Sequence, residues 1–164
     1  MERRAPGRGG DEAVNRYPPL EQVLPHRAPM ILLDRIEDSA EGMAVCSVTL
    51  RSDSPFVEQG SVPAVVATEY MAQCVAVYAG LKARRRGEGV RVGYLIGARS
   101  IEMAVDAFHV GDRLLVTARH VWGDDALGKF ECRVAAEGRR VARATLSVFQ
   151  GDLDQVEVGR PVEP

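Results

Sequence analysis

No excess of basic charge marks this chain: 21 Lys and Arg face 23 Asp and Glu, for a net charge of −2. Nonspecific nucleic-acid binding draws on displaced counterions and needs a strong cationic surplus, so that class is disfavoured. Cysteine is equally sparse. Cys46, Cys74 and Cys132 are odd in number, widely spaced and free of CxxC pairing. That pattern fits buried thiols of a reducing compartment and neither a disulfide framework nor a zinc site, so no metal is expected. Long uncharged apolar runs are also missing. The best candidate, Ser61 to Leu81, is interrupted by Glu69, which argues against a bilayer span of ~20 residues. Arg3, Arg4 and Arg8 are followed by glycine, Asp11 and Glu12 rather than by the apolar core of a secretory signal. A cytoplasmic protein without a membrane segment is the expectation.

What is present is an ordinary globular composition, 46% hydrophobic and 27% charged, over 164 residues. One domain is the expectation at that length. Residues 1–16 are rich in Gly, Arg and charge without apolar periodicity and read as a disordered tail, as do 154–164. The domain is therefore placed at 17–153. Leu20, Val23 and Leu24 suggest a helical turn. Met30-Ile31-Leu32-Leu33 is too short for a helix and is bounded by Pro29 and Asp34, which predicts a buried strand. A second strand is expected over 43–50. A helix follows: Pro63 suits its first position, Gly87 its end, and Ala64 to Leu81 is apolar on nearly every side, as tolerated only by a helix surrounded by protein. Strands are predicted over 92–103, 113–122, 127–135 and 140–149, joined by Gly-Asp and Glu-Gly turns, with strict polar–apolar alternation in Lys129 to Val134. The implied class is α+β, an antiparallel sheet curled around one long central helix.

Two residues carry potential chemistry. Glu69 is the only charged side chain between Ser61 and Leu81. A buried carboxyl group pays a desolvation penalty that favours its neutral form, and a neutral carboxyl can act as a general acid. The alternative is a plain helix-N-terminal acid that complements the macrodipole. His26 sits between Pro25 and Pro29, in a stretch stiffened by proline, and imidazole is the common proton acceptor at neutral pH. His109 sits in an apparent loop before Gly111-Asp112, His120 falls in strand alternation with no acidic or thiol companion in a motif, and neither receives a role. Lys82, Arg84, Arg85 and Arg86 form a basic run at the helix end. It is read first as charge complementing a helix C-terminus, and second as a docking point for an acidic partner. Met30, Met71 and Tyr78 are read as core or tunnel lining.

The segment Leu24-Pro25-His26-Arg27-Ala28-Pro29-Met30-Ile31-Leu32-Leu33-Asp34-Arg35 resembles the histidine signature of bacterial 3-hydroxyacyl-acyl carrier protein dehydratases. Pro63-Ala64-Val65 and Glu69-Tyr70-Met71-Ala72-Gln73 resemble their helix signature, and Phe108-His109-Val110-Gly111-Asp112 resembles a turn they share. The likeness spans roughly Tyr17 to Gln150 and is nearest to the dehydratase-like proteins of aryl polyene pigment clusters. It implies a hot-dog fold and a cofactor-independent dehydration of 3-hydroxyacyl thioesters to trans-2-enoyl thioesters. The implied partners are acyl carrier protein with its acyl-phosphopantetheine and a second subunit, in a homodimer or in a heterodimer with a paralogue. The implied roles are His26 as base, Glu69 of the facing subunit as acid, the Ala64 N–H on the thioester carbonyl oxygen, and Arg27 and Gln73 in support. Alanine at position 64 replaces the glycine of the general dehydratases. A hot-dog thioesterase and a noncatalytic partner subunit are the competing functions.

Overall fold

The computed structural model describes residues 16–151, so the two predicted tails and the domain end at residue 153 lie outside the described residues. Among the described residues there are eight strands: β1 (Arg35–Ala40), β2 (Met43–Thr49), β3 (Ser61–Pro63), β4 (Gly93–Met103), β5 (Ala107–His109), β6 (Arg113–Gly123), β7 (Leu127–Ala136) and β8 (Arg139–Gln150). One helix, α1, runs over Ala67–Arg85 and is preceded by a 3₁₀ turn at Ala64–Val66. Six strands form an antiparallel sheet in the order β1-β2-β6-β7-β8-β4, while β3 and β5 pair separately. The hairpin β6–β7–β8 follows from alternation. Phe130, Cys132 and Val134 point inward between exposed Lys129, Glu131 and Arg133, so one face packs on the core and one meets water.

The inner face of the sheet lies on α1, where Met71, Cys74 and Val77 meet Ala44, Cys46, Val116 and Leu146 in one contiguous core. Burial of this kind contributes about 25 cal/mol per Å² of apolar surface and is the main force holding the sheet on the helix. Enclosure is incomplete. Glu69, Ala72, Ala76, Ala79 and Ala83, spaced on one helical face, remain only half-buried within the chain, so the all-round apolar pattern overstated how fully the sheet wraps α1. By length and composition alone Ala64–Arg85 could cross a membrane, with mean hydropathy 1.3. Here it is the core helix beneath the sheet.

Two sequence expectations are corrected. The run Met30 to Leu33 is not a strand, which begins only at Arg35. Leu32 and Leu33 are buried as expected, but the backbone bonds there go to a side chain. Gln73 Oε1 accepts from Leu32 N–H at 2.9 Å, and its Nε2 donates to the Met30 carbonyl at 2.8 Å. Pro63 belongs to β3 rather than to the helix, because β3 pairs with β5 in the register Ser61↔His109 to Pro63↔Ala107. Short tertiary pairing overrides the helix-start signal.

Gly80 explains how the first segment reaches the helix. A methyl group there would collide with the Val23 carbonyl, whose carbon would lie 2.8 Å from it and whose Cα would lie 3.1 Å away. The absence of a side chain lets the Leu20–Gln22 turn and fully buried Val23 lie directly on α1. That contact aims the next residues, Leu24 to His26, at the helix's N-terminal end.

Candidate active site

His26 and Glu69 meet. His26 Nε2 lies 3.7 Å from Glu69 Oε1, and both side chains are partly exposed, at 30% and 39%. The distance exceeds a direct hydrogen bond, so each group keeps capacity for a third molecule. Both line one cavity of about 210 Å³. The pair assembles within a single chain, whereas the family resemblance implied a histidine from one subunit facing a glutamate of another. Glu69 is also not the deeply buried carboxyl that the apolar helix suggested, since its face of α1 opens onto the cavity.

Gln73 builds the pair. Its side chain is wholly buried, at 0% exposure, and spends one amide hydrogen on Glu69 Oε1 at 2.9 Å and another on the Met30 carbonyl. One turn of helix separates it from Glu69, the i,i+4 spacing that puts two side chains on the same face. It therefore ties the carboxylate and the segment after His26 to one point on α1. The histidine loop is held by Arg27, whose Nη1 donates to the His26 carbonyl at 2.8 Å and the Leu24 carbonyl at 3.2 Å. Arg27 steadies the loop backbone and makes no bond to Glu69. His26 Nδ1 is buried without a protein partner.

Ala64 does not fulfil its expected role within this chain. Its N–H donates to the Asp106 carbonyl at 2.9 Å, extending the β3–β5 pairing, and the residue is buried outside the lining of the His26–Glu69 cavity. An amide already paired in this way is not a free donor for a carbonyl oxygen.

From the pair, the cavity runs along α1 over Ala72, Ala76 and Ala79 to Tyr78, His120 and Phe130, and then to Lys82, Arg86 and Asp125. Tyr78 stacks on His120 with centroids 6.0 Å apart and planes at 14°, and Phe130 meets Tyr78 edge-on at 5.7 Å. Tyr78 lines the cavity as expected. His120 had been given no role, yet it sits among these rings. Its place in the inward register of β6, two residues after Ala118, was the available signal. His109 is exposed at the end of β5, away from the cavity. At the far end, Lys82 Nζ lies 2.6 Å from Asp125 Oδ1, Arg86 pairs with the other oxygen, and Arg85 donates to Ser39 Oγ. Hydrogen bonds from Lys82 and then Arg86 hold the Asp125 carboxyl down at about 2. The thiols are inert by environment: burial pushes Cys132 up to about 12, and a hydrogen bond with Cys46 together with burial raises Cys74 well above its ordinary range.

An antiparallel sheet curled over one long helix, with a histidine and a carboxyl group meeting at the helix's N-terminal end, defines a hot-dog protein of the acyl-thioester-handling kind. The model of the ApeP-like family, described as ApeP dehydratase, matches residues 18–158, and the chain belongs to that family. It is 26% identical over 137 residues to the 3-hydroxyacyl-[acyl-carrier-protein] dehydratase FabZ of Streptococcus equi subsp. zooepidemicus, covering 80% of this chain and 95% of that one. It is 28% identical over 139 residues to FabZ of Brucella melitensis, covering 81% and 87%. Among solved structures, the dehydratase heterocomplex ApeI:P from Xenorhabdus doucetiae matches with a TM-score of 0.81 and 32% identity, over 85% of this chain and 95% of that one. A hypothetical thioesterase from Streptococcus pneumoniae, at 18% identity and a TM-score of 0.55 over 71% of this chain and 84% of that one, shares the fold.

Proposed function

We propose that this chain dehydrates 3-hydroxyacyl thioesters of acyl carrier protein to trans-2-enoyl thioesters. The supporting observation is the His26–Glu69 pair at the head of an elongated cavity. His26 Nε2 takes a proton from C2, the C3–O bond breaks, and Glu69 donates the proton with which the hydroxyl leaves as water. A poor leaving group beside a weakly acidic C–H calls for both an acid and a base. The reaction leaves a proton on His26 and a carboxylate on Glu69, 3.7 Å apart, so transfer between them resets the site. Gln73 and Arg27 act as positioning residues, through the carboxylate and the histidine loop respectively. No cofactor or metal takes part in this scheme, and the substrate chemistry and the three free, buried cysteines support a cytoplasmic setting.

A second hot-dog subunit belongs along β4. This edge strand exposes Tyr94, Leu95, Ile96 and Ile101, and an unpaired apolar edge is a template for another strand. The similarity to a chain of the ApeI:P heterocomplex favours a paralogue as that subunit, with a second copy of this chain as the other choice.

The test incubates the purified chain, alone and with a paralogous hot-dog subunit, with a 3-hydroxyacyl-carrier-protein thioester. Enoyl product is expected, and His26→Ala and Glu69→Gln should each lower turnover by roughly 10²–10⁴-fold, with the double variant little worse. Free acid as the product would make the protein a thioesterase. Near-wild-type dehydration by either single variant would remove that residue from the mechanism, and no turnover by the chain alone would make it a partner subunit.

A further inference from the structure

The face of the sheet turned away from α1 has two features that the chemistry at His26 and Glu69 does not use. Arg119, Arg133, Arg140 and Arg143 line a groove of about 400 Å³ together with Glu102 and Glu131. Arg143 pairs with Glu102, and among the described residues Arg119, Arg133 and Arg140 form no salt bridge or side-chain hydrogen bond. Arg133 stands directly opposite Arg143 in the β7–β8 register, and like charges so placed repel. The second feature is apolar. Trp122 is 63% exposed and Leu127 38%. His120 points into the cavity, and strict alternation would send Trp122 the same way, but a bulge between them turns it outward, opposite Lys129. Leu127 lies two residues before Lys129 on β7 and shares its face. Aromatic side chains beside arginine are the composition enriched at protein interfaces and their hot spots.

We propose that this outer face docks an acidic protein, which seats an apolar side chain on Trp122 and Leu127 and sets carboxylates on Arg119 and Arg133. The register fixes the spacing. Lys129, Glu131 and Arg133 follow one another on one face at ~6.8 Å per two residues, and Arg119 lies opposite Glu131. The partner therefore presents acids ~7 and ~14 Å from its apolar anchor. Extent sets the strength. Four strands at ~4.8 Å and four outward rows at ~6.8 Å give a footprint on the order of 500 Å², below the ~800 Å² per partner of a standard interface, so docking is weak and reversible.

The carrier of the proposed substrate is not this partner. From Arg133 to Gly128, at the cavity wall, the strand covers ~17 Å, and ~20 Å of helix separates Lys82 from Glu69. A phosphopantetheine arm spans on the order of 18 Å at ~1.3 Å per bond, about half that path. Nor does strand addition along β4 cover Trp122, because β7 and β8 lie between β6 and β4. The groove and the His26–Glu69 cavity share no lining residue, so a docked protein leaves the cavity open.

The native assembly, with this chain's only tryptophan as 5-fluorotryptophan, is titrated by fluorine NMR with the synthetic peptide acetyl-Leu-Ser-Glu-Ser-Glu-amide, whose extended form matches the spacing. A saturable shift of the Trp122 signal is expected. Affinity should be about three- to tenfold higher than for the peptide with Gln in place of Glu, the gain of charge-assisted contacts at an exposed site, and higher than for the peptide with Ala in place of Leu. Arg119→Gln/Arg133→Gln should abolish the preference for Glu over Gln. Tm should hold in that variant, since the Arg133–Arg143 repulsion is relieved; should it unfold, the wild-type peptide ratios still decide. An unmoved Trp122 signal, equal binding of the Glu and Gln peptides, or a preference that survives in the variant would each overturn the proposal. Equal binding of the Leu and Ala peptides would reduce the face to unspecific attraction and overturn it too. Self-association of the assembly that sedimentation shows to be lost in the double variant would give the face to a second copy. Peptide binding gained only by a chain ending at Gly151 would give it to this chain's own Asp152, Asp154 and Glu157. Either result displaces the acidic partner.

Discussion

Replacing Gly80 by alanine pits two effects of known size against each other. In an ordinary helix interior the change is favourable by about 1 kcal/mol, because alanine has the better propensity and glycine frees the unfolded chain. At Gly80 the new methyl would penetrate the Val23 carbonyl group. That neighbour is backbone and cannot rotate away, so the segment carrying Leu20, Val23 and Leu24, all buried, must lift from α1. Overpacking typically costs about 1–3 kcal/mol, and partial exposure of three apolar side chains adds up to about 1.5–3 kcal/mol for each one fully uncovered. Strain outweighs propensity, and a net destabilisation of about 2–4 kcal/mol is expected. For a domain of this size that lowers Tm by roughly 5–15 °C. Because the displaced segment leads straight into His26, dehydration should fall more than stability at 25 °C does, with kcat affected as well as KM. Differential scanning calorimetry with steady-state kinetics reads both. A variant that melts higher than the wild type, as a normal helix glycine would, refutes the idea that close approach of the two backbones positions the histidine.

Gln73→Leu keeps the volume but strands the Leu32 N–H and the Met30 carbonyl. At about 1–3 kcal/mol per unsatisfied buried group, a loss of about 2–5 kcal/mol is expected by urea denaturation, and an unchanged midpoint would show that water replaces the amide. The three cysteines should resist thiol reagents at pH 8 in the native state and react fully in denaturant, given their burial and the raised positions of Cys74 and Cys132; rapid native labelling would contradict this. Asp125, held at about 2 against an ordinary value of ~3.9, contributes stability above that ordinary value and loses it as pH falls toward 2. Its exposure limits the effect to under ~1 kcal/mol. The stability gap between wild type and Asp125→Asn should therefore be present at pH 7 and shrink by pH 3, and a gap that grows on acidification would reverse the sign.

Much of the architecture was written locally. Alternation in Lys129 to Val134 and the turn residues at Gly111-Asp112 and Glu137-Gly138 marked the hairpins, and a single carboxyl group on an otherwise apolar helix marked Glu69, because periodicity and composition are properties of neighbouring residues. Met30 to Leu33 shows where local reasoning stops. Its apolarity was legible, but whether its backbone pairs with a strand or with a side chain was settled by Gln73, 41 residues away from Leu32. The same holds for Ala64, whose amide is consumed by Asp106, and for His120, silent in sequence until β6 laid it beside Tyr78. The residue types and their order determined the elements and the candidates for chemistry. Which donors stay free, and the meeting of His26 with Glu69, were decided only by folding, because hydrogen-bond partners distant in sequence are chosen by proximity that no local pattern encodes.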